Sequence, residues 1–282
     1  VWTTLAPAKI NLDLRMLGVR ADGYHLLRTV FQSVALSDAL ALRPRQGPFG
    51  LSCDTPGVPA DARNLAWKGA AAMVAALGTT LDGWELHLQK QVPAEAGLGG
   101  GSADAAAAAR LVAAAAGVTF TPAALADVIR PLGADVAFFA WGGTMRGEGV
   151  GDQLTLLPDA PEAEVVLVRP PFGVATRDAY GWYDADTARE SGVGSRESGN
   201  DLEGPVAARH PEIRVIVERL RAAGATMAAM SGSGSACFGL FEPAADLGAV
   251  DRGWPEGTRV WRTRTLSRAA YTEATAVTAS RR

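Results

Sequence analysis

Six residues, Gly97-Leu98-Gly99-Gly100-Gly101-Ser102, constrain the fold more than any others in the chain. Before them, Trp84–Gln91 alternates apolar and polar side chains, with Trp84, Leu86 and Leu88 on one face, the period of a strand. After them comes a run of alanines with no breaker until Gly117, the composition of a helix. The spacing therefore predicts strand, glycine loop, helix. Glycines let a backbone turn tightly and come close to a ligand. A helix start offers unpaired N–H groups and the positive end of the dipole. Together they make a phosphate cradle. Ser102 is placed to cap the helix and to give its hydroxyl to a phosphate oxygen. The loop is not a Walker A sequence, because no Lys-Ser or Lys-Thr closes it, and not GxGxxG, because Ser102 holds the sixth position. The bland alternative is a glycine turn before a capped helix.

The rest of the chain mixes both periods. Thr3–Leu17, Thr29–Leu36 and Asp38–Arg43 read as strands, with Arg20–Gly23 a turn and a second short turn near Ser37. Asn64–Leu77 reads as helix, as does a segment from Pro122 to near Gly133; Phe138–Trp141 reads as a helical turn and Gly142–Arg146 as strand. Leu157–Glu164, with two prolines and three acids, is the best linker and divides the chain into 1–157 and 158–282. Beyond it, Val165–Val168, Met227–Met230 and Ala236–Phe241 read as strands, and Thr176–Tyr183 and Ile213–Ala223 as helices, with a final helix and strand up to Thr265. Ala188–Asn200 is read as a mobile loop and Thr275–Arg282 as frayed. This irregular interleaving predicts two α+β domains with mainly antiparallel sheets.

Composition removes several classes of function. A net charge of −3 gives no basic footprint for nucleic acid. No run of about 18 apolar residues suggests a membrane span, and Val1–Lys9 lacks the pattern of a signal peptide. Two distant cysteines, Cys53 and Cys237, exclude a disulfide scaffold or a CxxC metal site. The expected compartment is the cytoplasm, and no obligatory protein partner is evident.

Three segments carry a resemblance: Pro7-Ala8-Lys9-Ile10-Asn11-Leu12, then Pro93-Ala94-Glu95-Ala96 running into the glycine loop, then Ser231-Gly232-Ser233-Gly234. In this order they resemble the GHMP kinase superfamily. Arg20-Ala21-Asp22-Gly23-Tyr24-His25, Phe31-Gln32, Gly133-Ala134-Asp135-Val136 and Glu148-Gly149-Val150-Gly151 narrow the likeness. They resemble the branch that phosphorylates a cytidine diphosphate derivative of methylerythritol on its 2-hydroxyl, in the non-mevalonate route to isoprenoid precursors. The family often has Ser-Ser after the glycines, where this chain has Ser102-Ala103. It often has a basic residue two before the proline, where this chain has Gln91, with Lys90 one residue earlier.

The resemblance implies a two-domain GHMP kinase fold, with an N-terminal ATP-binding domain like the second domain of ribosomal protein S5 and a ferredoxin-like C-terminal domain. It implies ATP as co-substrate with Mg2+ or a similar divalent ion, and assigns no metal ligand. Lys9 and Asp135 match the catalytic pair. Pro93, Ala94, Glu95, Ala96, Gly97, Leu98, Gly99, Gly100, Gly101, Ser102 and Ala103 match the ATP-binding segment. Asn11, Tyr24, His25 and Tyr180 are the expected substrate contacts, with Trp182 and Tyr183 as alternatives to Tyr180 in stacking on the cytosine. Taken without the resemblance, Asp135 reads equally as a helix cap and the aromatics as ordinary packing. The run 231–235 reads equally as a hairpin loop or as N–H groups lying across the cleft.

Overall fold

Two long antiparallel strands organise the first half of the molecule: β1 (Trp2–Val19) and β2 (His25–Pro44), joined by the turn at 20–24. The structure is a computed structural model and describes residues 1–187, 199–250 and 252–280; most of the expected loop at 188–200 lies outside them. β2 is one continuous strand, not two. Ser37 and Asp38 looked like a turn because such residues bond locally, but across the ladder they pair with Pro7 and Ala6. The ladder shifts register between Pro7 and Lys9, Asn11 and Asp13, and Met16 and Gly18. Such irregularities bend a strand and re-aim its side chains, and Lys9 and Asn11 sit at two of them.

On this pair the first sheet is built. β3 (Gly50–Cys53) runs parallel to β4 (Trp84–Gln89), and β4 pairs with the second half of β2. Helix α1 (Leu65–Leu77) lies between β3 and β4 in sequence, and α2 (Gly100–Ala115) follows the glycine loop. Then come α3 (Pro122–Ile129), α4 (Phe138–Trp141), β5 (Thr144–Glu148), which pairs with β2 at Thr29–Gln32, and β6 (Gln153–Leu156). The helices cover one face of this sheet. Their core is small-residue rich, with Ala103 and Ala105–Ala109 buried beside Leu40, Leu86, Phe138 and Phe139.

The second sheet begins with β7 (Glu164–Arg169). It is followed by α5 (Thr176–Thr187), α6 (Glu203–Arg209), α7 (Glu212–Ala222), β8 (Met227–Met230), β9 (Cys237–Phe241) and β10 (Arg259–Arg264), in spatial order β10-β7-β9-β8. Its inner strands β7 and β9 are apolar on both faces because both are covered. Val166 and Val168 face the helices, while Val165, Leu167, Ala229 and Phe238 pack against Ile10, Val34, Leu36 and the loop residues Ala96 and Leu98. That second contact joins the two sheets. The expected helix before β10 is a single 3-10 turn at 248–250 among the described residues. The expected fraying after Thr275 is also corrected. Helix α8 (Arg268–Ala274) returns to the first sheet, and β11 (Thr278–Ala279) pairs with β1. The carbonyl of Thr275 accepts from Thr4 Oγ1 at 2.9 Å, and Tyr271 Oη donates to the carbonyl of Phe139 at 2.7 Å. These contacts link residues far apart in sequence, which no local pattern records.

α1 and α2 approach closely at Gly69, where a Cβ would lie 2.1 Å from the carbonyl oxygen of Ala105. In an open helix Gly→Ala gains about 1 kcal/mol. Here Gly69→Ala is expected to destabilise by about 1–3 kcal/mol, as overpacking does, read as a lower urea midpoint at unchanged slope.

Candidate active site

α2 starts at Gly100. Its cap is Gly99, at φ 69°, and no side chain bonds the first-turn N–H groups. Ser102 is therefore not the cap, which corrects the sequence reading: a cap must precede the first turn, and Ser102 lies within it. Its hydroxyl instead donates to Asp135 Oδ1 at 2.8 Å. With neither a cap nor an acid in the first turn, the N–H groups stay available to an anion. They open on a cleft of about 730 Å3 lined by residues 93–102, Lys9, Asn11, Asp135, Tyr180 and 232–234. Ala103 is buried behind it.

Lys9 is buried at the centre of this cleft. Its Nζ donates to Asn11 Oδ1 at 2.7 Å and to the carbonyl of Gly97 at 2.8 Å, and lies 5.7 Å from the centre of the Phe31 ring. Burial pulls its pKa below the usual lysine value, while the negative charge of Asp135 acts the other way. Asn11 is fixed in turn. Its Nδ2 donates to Thr29 Oγ1 at 2.7 Å, and that hydroxyl donates to the carbonyl of Asp13 at 2.6 Å. Thr29 carries no sequence signal, since its role arises only from the β1–β2 pairing.

The second glycine run is both a hairpin loop, between β8 and β9, and a wall of the cleft. Ser231 Oγ donates to the carbonyl of Gly97 at 3.0 Å. A Cβ at Gly97 (φ 71°) would sit 1.9 Å from the carbonyl oxygen of Ser231. Asn200 Nδ2 holds this loop from behind, donating to the carbonyls of Met230 and Gly232 at 2.8 and 2.7 Å.

At the other end of the cleft, burial chiefly, with Asp135 adding, pushes the Tyr180 hydroxyl up to about 12. Tyr180 packs on His25 with ring centres 4.9 Å apart, and Tyr183 lies 6.4 Å from the same imidazole. His25 Nε2 lies 2.7 Å from Asp184 Oδ1. Helical spacing puts residues 180, 183 and 184 on one face of α5. Trp182 is on another, against His210 and the Arg209 guanidinium, each about 5.6 Å away. Tyr24 is not brought to the cleft wall; it is 65% exposed on the turn. His25 is separated from the wall by Tyr180.

Sequence reasoning also missed the wall formed by residues 57–59 and 63–65. Asn64 builds it, capping α1 through Oδ1 to Ala66 N at 2.9 Å and holding the carbonyl of Pro59 with Nδ2 at 2.7 Å. An Asn before an alanine-rich helix was the available signal.

Residues 64–143 match the GHMP kinases N terminal domain, and residues 186–257 the GHMP kinases C terminal family. A 4-diphosphocytidyl-2-C-methyl-D-erythritol kinase of Moorella thermoacetica is 42% identical over 261 residues, covering 85% of this chain and 90% of the relative. The chain belongs to this kinase family. A Deinococcus radiodurans member is 39% identical over 262 residues, covering 87% of this chain and 86% of its own. A crystal structure of 4-(cytidine 5'-diphospho)-2C-methyl-D-erythritol kinase superposes with TM-score 0.76 at 33% identity, covering 93% of this chain and 98% of that one. The mevalonate kinase of Methanococcus jannaschii, TM-score 0.68 at 12% identity over 94% of this chain and 98% of that one, shares the fold. The family thus has the two-domain GHMP kinase architecture built here from two sheets.

Gly97 and Gly117 have the same φ of 71°, but only Gly97 faces a close neighbour. Gly97→Ala is expected to abolish nucleotide binding in calorimetry and to lower stability by more than Gly117→Ala, which reports the backbone strain alone, about 1–3 kcal/mol.

Proposed function

We infer that this chain is an ATP-dependent kinase that transfers the γ-phosphoryl group of ATP to the 2-hydroxyl of 4-diphosphocytidyl-2-C-methyl-D-erythritol, giving the 2-phosphate and ADP. The observation that carries it is one cleft holding a bare helix N-terminus, a buried lysine, a carboxylate and a tyrosine that packs on a histidine behind it, in a chain whose relatives bear that kinase's name.

Phosphoryl transfer asks for position and charge stabilisation more than for covalent chemistry. The first-turn N–H groups of α2 and the loop 97–101 receive the phosphates. The substrate hydroxyl lies between Lys9 and Asp135. Oδ1 of Asp135 is engaged by Ser102, so Oδ2 takes the hydroxyl proton as the new O–P bond forms and the bond from the γ-phosphorus to the β-bridging oxygen breaks, leaving ADP. The Lys9 ammonium stabilises charge on the attacking oxygen and the γ-phosphoryl, and Asn11 holds that ammonium in place. Tyr180, with His25 packed behind it, forms the cytidine end, and Tyr24 stays outside the wall on its exposed turn. Residues 93–103 form the nucleotide end.

A divalent ion such as Mg2+ supplies neutralisation of the triphosphate. Among the described residues no group of three or more His, Cys, Asp or Glu side chains is placed to hold a metal ion. No described helix is long and apolar enough to cross a membrane.

A coupled assay for ADP tests this, run with Mg2+ and the cytidine compound, homoserine or mevalonate. Turnover is expected with the cytidine compound alone. Lys9→Ala and Asp135→Asn, folded by circular dichroism, are expected to lose about 10²–10⁴ in kcat; near-normal turnover in both would sink the assignment.

The lowered pKa of Lys9 sets a second expectation. Activity should fall on the alkaline side at a pH below the ordinary lysine value of 10.5. Stability should move the opposite way there. Between the folded and unfolded pKa values the unfolded chain binds more protons, so this group makes unfolding less favourable as pH rises. Lys9→Ala should remove that rise in stability, measured as denaturant midpoint against pH.

A further inference from the structure

Behind the phosphate loop lies a second, partly buried lysine that the reaction above does not use. Lys90 Nζ donates to Asp38 Oδ2 and, at 2.8 Å, to Asp104 Oδ2. Asp38 is wholly buried and its Oδ1 accepts the backbone N–H groups of Gln91 and Val92 at 2.5 and 2.8 Å. Asp54 Oδ1 accepts the N–H of Lys90 itself at 3.0 Å. Asp104, 2% exposed, lies in the first turns of α2, and its Oδ1 is buried with no hydrogen-bond partner. A Cβ on Gly100 would meet Lys90 Nζ at 3.4 Å, so the ammonium lies against the start of the helix.

One ammonium therefore ties β2, the exit of β4 and the start of α2. The residues it fixes, Val92 and Asp104, flank the segment 93–103. Lys90 and Asp104 also line the cleft. Burying three charged groups is poor economy for stability alone, because desolvation offsets most of the attraction. What the cluster fixes is the separation between the loop's entrance and the first-turn N–H groups.

We propose that Asp38, Lys90 and Asp104 are positioning residues for ATP, clamping both ends of the phosphate loop at the separation its phosphates require. This rests on the kinase reading. The clamp touches neither the acceptor alcohol nor the cytidine end, so it acts on nucleotide binding and leaves the chemical step alone.

Charge balance supplies a readout that packing alone would not move. Two carboxylates and one ammonium leave a net negative charge in a buried site. Burial pushes Asp104 up to about 8, with Lys90 opposing and Asp38 adding. Lys90 is held above the usual lysine value; burial pulls it down, but Asp104 and Asp38 outweigh that. Asp104 therefore holds a proton to higher pH than an ordinary aspartate, and its unpartnered Oδ1 is the oxygen free to carry it. The other groups facing the pair are Cys53 and Asp54 from the β3 end, Cys53 pushed up by burial. α1 meets α2 through Gly69, with Lys68 exposed. Losing the Asp104 proton adds a negative charge beside the phosphate site, so ATP should bind more weakly as pH rises through about 8.

The test measures KM for ATP, kcat and KM for the cytidine compound, with calorimetric ATP binding in its absence, for the wild-type chain and for Lys90→Met, Lys90→Arg and Asp104→Asn between pH 6 and about 9. Lys90→Met should raise KM for ATP about tenfold or more with kcat and the other KM nearly unchanged, and Lys90→Arg should recover part of it. Asp104→Asn, which mimics the protonated acid, should keep the wild-type KM at neutral pH and lose its alkaline rise. A folded Lys90→Met with unchanged KM for ATP, or an alkaline rise that persists in Asp104→Asn, would overturn the proposal; if Lys90→Met fails to fold, Asp104→Asn decides. Wild-type chain that binds no ATP would overturn this and the kinase reading together, whereas wild-type turnover with unaffected variants overturns this alone.

Discussion

The carbonyl oxygen of Gly97 accepts two hydrogen bonds, one from the Lys9 ammonium and one from the Ser231 hydroxyl. Those donors come from β1 and from the loop that follows β8, so a single backbone oxygen binds the first sheet, the phosphate loop and the second sheet together. It can do so only because residue 97 has no side chain: any Cβ would strike the carbonyl of Ser231. The cleft exists where these three pieces meet. One end is helix N-terminus and glycine backbone, the far end the aromatic face of α5, and Lys9 lies between them.

Two lysines flank the loop, Lys9 buried and Lys90 partly buried, and they differ in what holds them. Lys9 is held by neutral acceptors, Asn11 Oδ1 and a carbonyl, with Asp135 near enough to act on it. Its charge is thus left largely uncompensated, and burial lowers its pKa. Lys90 is held by side-chain oxygens of two acidic residues, Asp38 and Asp104, and in the proposal above that pairing holds the loop. A charge short of counter-charge in low dielectric acts strongly on an incoming phosphoryl group, whereas one already paired serves geometry. That contrast assigns the two lysines to different tasks.

Much of the candidate site was legible because a helix-start anion cradle is local. A strand, a glycine run and a helix start are consecutive in sequence, and residues 84–115 showed all three. Asp104, one acid in a run of alanines, was a visible anomaly whose partners were not, since Asp38 and Lys90 lie 66 and 14 residues away from it. Of Tyr180, Trp182 and Tyr183, the two tyrosines share the face of α5 that packs on His25, whereas Trp182 packs on His210. Ser102 was read as a cap because Ser favours that position, but a left-handed Gly99 starts the helix earlier and frees the hydroxyl for Asp135.

The sequence by itself determined the local devices: the glycine cradle, the two-sided apolar strands of the second sheet, the alanine-rich helices that let α1 and α2 approach, and the Asp-Gly turn that ends β1. Each is set by the conformational range or side-chain period of residues close together in the chain. Only the tertiary structure decided that β2 runs unbroken through Ser37-Asp38, that α8 and β11 return to the first sheet, and that Ser231 and Asn200 complete the cleft. Those outcomes depend on hydrogen bonds between residues dozens to hundreds of positions apart, whose partners are chosen by burial after the sheets form and leave no period in the sequence.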